Sequence, residues 1–345
     1  MLTLGNGDVR RLLDGREREV LDAVRGAYLR HADEETSLPH SVFLRFPDDT
    51  RNRIIGLPAY LGGPEPLAGM KWIASFPGNV ADGLERASAA IIVNSMRTGR
   101  PVALVEGSTI SARRTAASAA LAAVALPPEG GRETGVSLIG CGVINFEVLR
   151  FLLVVRPELS DITVFDLDAG RAEEFRARCA SEFGGDGRVV RVAQSMEAAV
   201  GAHRLVSLAT TATVPHLDLR SCRPGTLVLH VSLRDVTVEG VLDAVNVVDD
   251  PDHVCRAATS VHLAETRVGD RSFIDATLGE LLRSGDAGHR DPQRTTLFSP
   301  FGLGVLDLAL AGLVLRGARA VGVGTEITGF LPESGVTEPA RAPVG

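Results

Sequence analysis

A glycine-rich turn between two apolar segments restricts the fold more than any other feature of this sequence. The apolar run Val136–Ile139 leads into Gly140-Cys141-Gly142, a helical pattern follows over Val143–Val155, and a second apolar run, Ile162–Phe165, ends at Asp166. A strand, a glycine turn, a helix and a second strand form the βαβ unit that places a dinucleotide pyrophosphate on a helix N-terminus. The pattern therefore predicts a doubly wound parallel sheet that binds a dinucleotide.

The chemistry of this unit favours NAD as the cofactor. The two glycines permit a tight turn and a close approach of the backbone to the phosphates, which then meet the free amides of the helix. Asp166 can accept hydrogen bonds from both ribose hydroxyl groups, and its charge would repel the 2′-phosphate of NADP. Arg171, a few positions later, leaves NADP open as the alternative cofactor. The alternative to dinucleotide binding is that the glycines only tighten a turn. The predicted cofactor contacts in this unit are Gly140, Gly142, Val143, Ile144 and Asp166.

Length and charge narrow the function classes. A chain of 345 residues is longer than a single hydrophobic core usually supports, so two domains are expected. A net charge of −7, no long basic run and an aromatic content of 4% argue against a nucleic-acid-binding surface. The first residues lack the apolar core of a signal peptide, and no apolar run has the length of a membrane span. We therefore expect a cytoplasmic protein that binds neither nucleic acid nor membrane.

The cysteines indicate neither disulfides nor a metal site. Cys141, Cys179, Cys222 and Cys255 form no Cys-x-x-Cys pair and no spacing with histidine that suits zinc. His253 and Cys255 would supply only two ligands, which do not make a site. Reduced thiols and no metal are expected.

The rest of the chain divides into two patterns. Residues 1–110 show one amphipathic helix and several short alternating segments, which predict an α+β domain with a substantial sheet. From residue 134, strand and helix patterns alternate, as is typical of a parallel sheet covered on both faces. Between them, Ser111–Leu126 is alanine-rich and predicts one long helix. Phe301–Leu315 predicts a final apolar helix that returns to pack on the first domain.

Three basic residues lie in strand-like or helical segments of the first domain: Arg45, Lys71 and Arg114. A cation in a buried strand needs a counter-anion, because an unpaired buried charge is very unfavourable. A substrate carboxylate would serve, and arginine suits it through its planar fork. An internal salt bridge to an aspartate or glutamate is the alternative for each of the three.

Polar residues also follow two predicted strands, Leu205–Ala209 and Leu227–Val231. The carboxyl ends of strands in an open α/β sheet face the ligand crevice. Asp235 is therefore a candidate general base or acid, and Thr210 a candidate neighbour of the nicotinamide ribose. The alternative for Asp235 is an ordinary acidic residue in a loop, and the alternative for Thr210 is a turn-forming residue. His230 is expected to be a packed core residue.

Several short motifs, in this order, resemble the ornithine cyclodeaminase/μ-crystallin family over roughly residues 1–330. They are Lys71 with Phe76-Pro77-Gly78-Asn79, Thr98-Gly99-Arg100-Pro101, Arg114-Thr115-Ala116-Ala117 and Gly140-Cys141-Gly142. The resemblance implies a Rossmann-type NAD-binding domain, an α+β substrate-binding and dimerisation domain, and a homodimer. We expect the α+β domain at residues 1–115 and 310–331, the NAD domain at residues 116–309, and a disordered tail at residues 332–345.

One subgroup of that family, the enzymes that form 2,3-diaminopropionate, is more similar still. The matching segments are Ser37–Ser41, Leu57–Gly63, Gly83–Ser88, Ile139–Asn145 and Val231–Asp235. This resemblance implies NAD-dependent oxidation of the glutamate Cα–N bond of N-(2-amino-2-carboxyethyl)-L-glutamate. Hydrolysis of the imine would release 2-oxoglutarate and L-2,3-diaminopropionate, a building block of siderophores and nonribosomal-peptide antibiotics.

The resemblance also implies roles for single residues. Lys71 and Arg114 match positions that hold the substrate α-carboxylate, and Thr115 matches one that contacts the cofactor phosphate. Asp235 is the nearest match to the catalytic aspartate of ornithine cyclodeaminase, although the surrounding segment differs. The resulting predictions are Asp235 and Lys71 as catalytic residues, Arg45, Lys71 and Arg114 as substrate contacts, and Thr115, Thr210 and Ser232 as further cofactor contacts.

Other functions stay open at this point. The resemblance leaves an ornithine cyclodeaminase, an alanine dehydrogenase, a ketimine reductase and a non-enzymatic binding protein as alternatives. The wider family often has Pro-x-Arg where this chain has Pro39-His40-Ser41. That departure argues against ornithine as the substrate, and Arg45 is expected to supply the missing cation.

Overall fold

The computed structural model describes residues 1–128, 133–285 and 291–332. Apart from residue 332, the predicted tail lies outside these residues. The first part of the chain contains β1 (Leu2–Leu4), α1 (Asn6–Leu13), α2 (Glu17–Ala32), β2 (Thr36–Ser37), β3 (Val42–Phe46), β4 (Asp49–Leu61), β5 (Leu67–Ser75), β6 (Ala87–Asn94), β7 (Pro101–Glu106) and α3 (Ser108–Ala125).

The second part begins with β8 and follows the alternation that its sequence predicts. Its elements are β8 (Gly135–Ile139), α4 (Val143–Val155), β9 (Asp161–Phe165), α5 (Ala169–Phe183), β10 (Val189–Val192), α6 (Met196–Val200), β11 (Leu205–Leu208), β12 (Leu227–His230), α7 (Val238–Asp243), β13 (Val245–Val248), α8 (Pro251–Val254), α9 (Ser260–Val268), β14 (Ile274–Thr277), α10 (Leu278–Ser284), β15 (Thr296–Ser299), α11 (Gly304–Val321) and β16 (Thr325–Glu326).

These strands form two separate sheets of eight strands each. The second sheet is parallel throughout, in the order β10-β9-β8-β11-β12-β15-β13-β14. The direction of strand order reverses beside β8, which is where a doubly wound sheet opens its ligand crevice. The first sheet is mostly antiparallel, in the order β16-β1-β7-β6-β5-β4-β2, with β3 paired to β4. The predicted combination of a Rossmann-type domain and an α+β domain is therefore confirmed.

Two long helices connect the sheets. The alanines of α3 allow close packing against α2 on one side and α4 on the other, and they are almost all buried. The predicted domain boundary after residue 115 falls within this helix and stays a prediction. Helix α11 packs against α2, β4 and β5, so the last apolar segment does return to the first domain as expected. It begins at Gly304, later than the predicted Phe301, because residues 300–303 form a loop after β15.

The first sheet has one covered face and one uncovered face. Alternate residues of β4 face α11, and Leu57, Ala59 and Leu61 are buried there. The opposite face carries apolar side chains that no described part of the chain covers, including Val42 at 62% exposure and Trp72 at 39%. An apolar face of this kind usually marks an interface.

Candidate active site

The glycine turn has the geometry that close approach of a phosphate requires. Gly140 has a φ of +91°, and a Cβ there would lie 2.4 Å from the carbonyl oxygen of Ala209, so only glycine fits. A Cβ on Gly142 would meet nothing within 4 Å, which leaves open space in front of the N-terminus of α4. This space is where the predicted pyrophosphate would lie.

Asn145, which takes the place of the usual third glycine, holds this turn from behind. Its side-chain amide donates to the carbonyl oxygens of Ile139 and Gly140, both at 2.8 Å. Its side-chain oxygen accepts from the hydroxyl of Ser207 on β11 at 2.7 Å. The side chain is fully buried with its bonds satisfied, so the turn is fixed without a ligand. The sequence showed this residue only as a departure from the motif.

Asp166 lies beside the turn, as its position predicts. One carboxylate oxygen accepts from the backbone amide of Cys141 at 2.8 Å, and the other from the amide of Asp168 at 3.1 Å. These bonds hold the carboxylate beside the glycine turn. Arg171, the residue that left NADP open, lines a cleft together with Cys141 and Gly142 of the turn.

A cleft of about 450 Å³ runs between the two domains at this edge. The nucleotide-binding side contributes the turn and the ends of β11 and β12, and the opposite wall comes from the segment that precedes β6. Predicted cofactor contacts that line it are Gly142, Val143, Ile144, Thr210 and Ser232. Thr115 is not among the lining residues, and its hydroxyl donates to the carbonyl oxygen of Ser111 at 2.7 Å. Its contact with the cofactor phosphate stays a prediction.

Lys71 and Arg114 are brought together by Asp307, on the first turn of α11. Lys71 Nζ lies 2.7 Å from Asp307 Oδ2, and Arg114 Nε donates to Asp307 Oδ1 at 3.0 Å. All three side chains are buried, at 2%, 10% and 1% exposure. The alternative of an internal salt bridge therefore holds for both cations, but one carboxylate faces two positive charges. The group retains one positive charge that an incoming carboxylate could neutralise.

This ion group lies at the crevice. A Cβ on Gly302 would lie 2.3 Å from Arg114 Nη1, and Gly302 belongs to the loop that follows β15. Because β15 is a parallel strand, that loop is at the ligand-binding edge of the second sheet. Lys71 also donates to the hydroxyl of Ser111 at 3.1 Å. Burial and the nearby Arg114 lower the pKa of Lys71 to about 8, against the opposing effect of Asp307.

Asp235 is placed behind the cleft wall. Its side chain is buried, and its two carboxylate oxygens accept from the hydroxyl groups of Thr210 and Ser232. Burial acts to raise the pKa of Asp235, but the interaction with His230 and the hydrogen bonds from Ser232 and Thr210 outweigh it and lower the pKa to about 2. His230 is a packed core residue as expected, with its Nδ1 3.1 Å from the hydroxyl of Ser299.

Arg45 lies apart from Lys71 and Arg114, in a group of four arginines. Arg45 and Arg53 are opposite each other on β3 and β4, and Arg53 is opposite Ser75 on β5. Arg86 donates to the Ser75 hydroxyl at 3.3 Å and lines the cleft. Arg234 comes from the other domain, next to Asp235, and donates to the carbonyl oxygen of Ala257 at 2.8 Å.

None of these four arginines forms a salt bridge with a carboxylate within the described ranges of the chain. Burial lowers the pKa of Arg53, and the charges of Arg234, Arg86 and Arg45 lower it further. Arg53, Arg86 and Arg234 were not predicted from the sequence, because only strand register and domain packing bring them together. Asp307 was not predicted from the sequence either, and the structure places it as the carboxylate that Lys71 and Arg114 share.

Two findings bear on other classes of site. Among residues 1–128, 133–285 and 291–332, no group of three histidine, cysteine or acidic side chains is arranged to hold a metal ion. Within the same ranges, no helix combines the length and apolar character that crossing a membrane would need.

Comparison with known proteins identifies one family. Residues 12–321 match the model of the ornithine cyclodeaminase/mu-crystallin family. An N-((2S)-2-amino-2-carboxyethyl)-L-glutamate dehydrogenase of Staphylococcus aureus is 26% identical over 95% of this chain and 98% of its own length.

Two solved structures are also similar over nearly their whole length. One is the Δ1-pyrroline-2-carboxylate reductase of Thermococcus litoralis with NADH and L-proline, which has a TM-score of 0.86, 26% identity, and coverage of 95% of this chain and 100% of that one. The other is an archaeal alanine dehydrogenase dimer with bound NAD, which has a TM-score of 0.84, 26% identity, and coverage of 96% and 99%.

Proposed function

The chain belongs to the ornithine cyclodeaminase/mu-crystallin family, and we propose that it oxidises N-((2S)-2-amino-2-carboxyethyl)-L-glutamate with NAD. The products would be 2-oxoglutarate and L-2,3-diaminopropionate, for a siderophore or a peptide antibiotic. Its relatives are NAD(H)-dependent enzymes that act on the C–N bonds of amino acids and imines, so the general class of oxidoreductase is established. The substrate is the part that is proposed.

The observation that carries the proposal is the buried group of Lys71, Arg114 and Asp307 at the crevice. Two cations that share one carboxylate can accept the glutamate α-carboxylate without leaving a charge unpaired. That contact would turn the adjacent Cα toward the nicotinamide of NAD in the cleft. NAD held in the cleft would supply the acceptor for the hydride of Cα. The amine proton would pass to solvent, and water would hydrolyse the resulting imine.

Asp235 supports this reaction by orienting hydroxyl groups. As a base it would need a free oxygen near the substrate, but both of its oxygens accept hydroxyl bonds and the side chain is buried. Its predicted base role stays a prediction, and we favour a positioning role in which Asp235 holds Thr210 and Ser232 toward the cofactor. Replacement by asparagine would then weaken NAD binding, whereas loss of a base would lower kcat at saturating NAD.

The test of the function is NADH formation, followed by absorbance, with NAD and N-(2-amino-2-carboxyethyl)-L-glutamate. We expect stoichiometric NADH, 2-oxoglutarate and diaminopropionate. L-Ornithine and L-alanine are the parallel substrates. Proline and ammonia from ornithine without net NADH, or pyruvate from alanine at a higher kcat/KM, would replace the proposal by that activity.

Lys71 gives a pH-dependent prediction. Its ammonium form holds a carboxylate, and its pKa is about 8, so affinity for 2-oxoglutarate in the presence of NADH should fall as pH rises through 8. The loss approaches about tenfold per pH unit until the pKa of the complex is reached. Isothermal titration from pH 6.5 to 9.5 measures it. Lys71→Arg keeps its charge and should show a flat profile. If kcat instead rises as the pH increases through 8 in the unaltered protein, and does not rise in Lys71→Arg, Lys71 is the base.

Asp166 gives a prediction about cofactor choice. Replacement by alanine removes the acceptor for the ribose hydroxyl groups and the repulsion of a 2′-phosphate, so the Kd for NADH should rise about tenfold and the preference over NADPH should shrink. Fluorescence titration with both cofactors measures this. Asp168→Asn, which keeps the cap of α5, is the control and should bind NADH normally. Tighter binding of NADPH than NADH by the unaltered protein would contradict the proposed role of Asp166.

A homodimer is proposed through the uncovered face of the first sheet. Val42, Leu44 and Trp72 are exposed there at 62%, 44% and 39%, and the structurally similar alanine dehydrogenase is a dimer. Leu44→Asp should convert the protein to a monomer in sedimentation velocity. Val268→Asp, on an exposed position of α9, should leave the mass unchanged, and a monomeric unaltered protein would overturn the proposal.

A further inference from the structure

We infer that Arg53, Arg86 and Arg234, together with Arg45, form a second anion site that binds the distal carboxylates of the substrate and so sets specificity for a tricarboxylate. The inference rests on the proposed function. It concerns residues that lie away from the group of Lys71, Arg114 and Asp307.

The strand register places the two anion sites on one surface. Lys71 and Ser75 have the same parity on β5, so their side chains point to the same face of the sheet. Arg53 is the cross-strand partner of Ser75, and Arg45 is the partner of Arg53. Positions 71 and 75 are about 13 Å apart along the strand, from about 3.3 Å per residue. A substrate whose α-carboxylate is bound at Lys71 must therefore be extended to reach the arginines.

The arginines are arranged for a ligand rather than for the fold. An arginine group without carboxylate partners costs free energy through mutual repulsion, and half-buried guanidinium groups add a desolvation cost. Arg113, which is more deeply buried, shows the contrast, because it is within salt-bridge distance of Asp14 and Glu147. Arg53, Arg86 and Arg234 have none in the part of the chain that the structure describes. An anion with more than one negative charge removes the repulsion and can accept their bidentate hydrogen bonds.

Arg234 adds a contact across the cleft. Arg45, Arg53 and Arg86 belong to the first domain, whereas Arg234 follows β12 of the second domain, next to the Asp235 that binds Thr210 and Ser232. A distal carboxylate held both by Arg234 and by the arginines of the first domain would draw the two domains together over the cofactor. The substrate of the proposed reaction has three carboxylates, one for Lys71 and Arg114 and two for the arginines. Alanine has only the first.

The experiment pairs arginine variants with a shortened substrate. Arg53→Gln, Arg86→Gln and Arg234→Gln should each raise KM for N-(2-amino-2-carboxyethyl)-L-glutamate about 10- to 100-fold, as loss of a charged hydrogen bond implies. In Arg53→Gln and Arg234→Gln, whose arginines do not line the cofactor cleft, KM for NAD should stay within about twofold. N-(2-aminoethyl)-L-glutamate lacks one distal carboxylate. The variant whose arginine binds that carboxylate should show a much smaller penalty with this analogue. Arg267→Gln, at an exposed position of α9, is the control and should behave as the unaltered protein.

The outcomes separate the two proposals. Equal KM values for the three variants and the control would overturn the inference while leaving the proposed function intact. If the unaltered protein does not oxidise the substrate, the proposed function fails, and calorimetry with propane-1,2,3-tricarboxylate and NADH then decides the inference. Binding that weakens at least tenfold in Arg53→Gln but not in Arg267→Gln supports the anion site. Equal binding, or none, overturns it.

Discussion

Replacing Arg114 with alanine should raise KM for the proposed substrate by about 10- to 150-fold, which corresponds to the loss of a hydrogen bond between charged groups. KM for NAD should change little, because the glycine turn that is proposed to hold the cofactor lies in the other domain. Arg114 now lowers the pKa of Lys71, so its removal also leaves Lys71 more firmly charged. Lys71 and Asp307 would then neutralise each other, and no positive charge would remain for the substrate carboxylate. Steady-state kinetics with both substrates varied measures the effect.

Two further measurements keep this prediction specific. Arg114→Lys restores the charge but not the planar fork, so it should recover only part of the affinity. Thermal unfolding of Arg114→Ala tests whether the fold is intact. We expect an intact fold, because Asp307 keeps Lys71 as a partner at 2.7 Å. An Arg114→Ala variant that folds and keeps its KM would show that Arg114 has only a structural role.

The nucleotide-binding half could be predicted from sequence because its signals are local. Most strands of the parallel sheet are short apolar runs, and the turn needs glycine at Gly140 for steric reasons that any sequence must obey. Elements without such a signal were missed. Strand β15 (Thr296–Ser299) has only two apolar residues between two polar ones, yet it lies in the sheet between β12 and β13.

The site was harder to predict because its residues meet through register and domain packing. Arg45 could be identified as a cation in an apolar strand, but its partners Arg53 and Arg86 come from other strands and segments. Asp307 lies in the long apolar helix at the end of the chain, where composition gives no hint of Lys71 and Arg114. Asp235 shows the opposite limit: its position after β12 was correct, but sequence could not reveal that Thr210 and Ser232 already occupy its oxygens.

Replacing Asp307 with asparagine should have the largest effect on stability. It leaves Lys71 and Arg114 buried, close together and without their shared carboxylate, a change that typically costs about 3–5 kcal/mol. Binding of the substrate should also weaken near neutral pH, because the pKa of Lys71, already about 8, drops further. Lys71 then loses its charge, and Arg114 alone is left to hold the carboxylate. Denaturant unfolding and the KM for the substrate measure the two effects.

The pH dependence of the stability lost in Asp307→Asn identifies the cause of that loss. When the pKa of a lysine is lower in the folded protein than in the unfolded chain, its protonated form destabilises the folded state. This destabilisation is largest at low pH, where the lysine is protonated in both states. In Asp307→Asn the stability deficit relative to the unaltered protein should therefore be largest near pH 6 and shrink by up to about 1.4 kcal/mol per pH unit. The shrinkage should end near pH 8, where Lys71 of the unaltered protein also begins to lose its proton. The pair Lys71→Met and Lys71→Met/Asp307→Asn lacks the titrating group, so its difference should be constant over this range. A deficit in Asp307→Asn that does not vary with pH would mean that lost packing or hydrogen bonding, rather than the unpaired charge of Lys71, causes the instability.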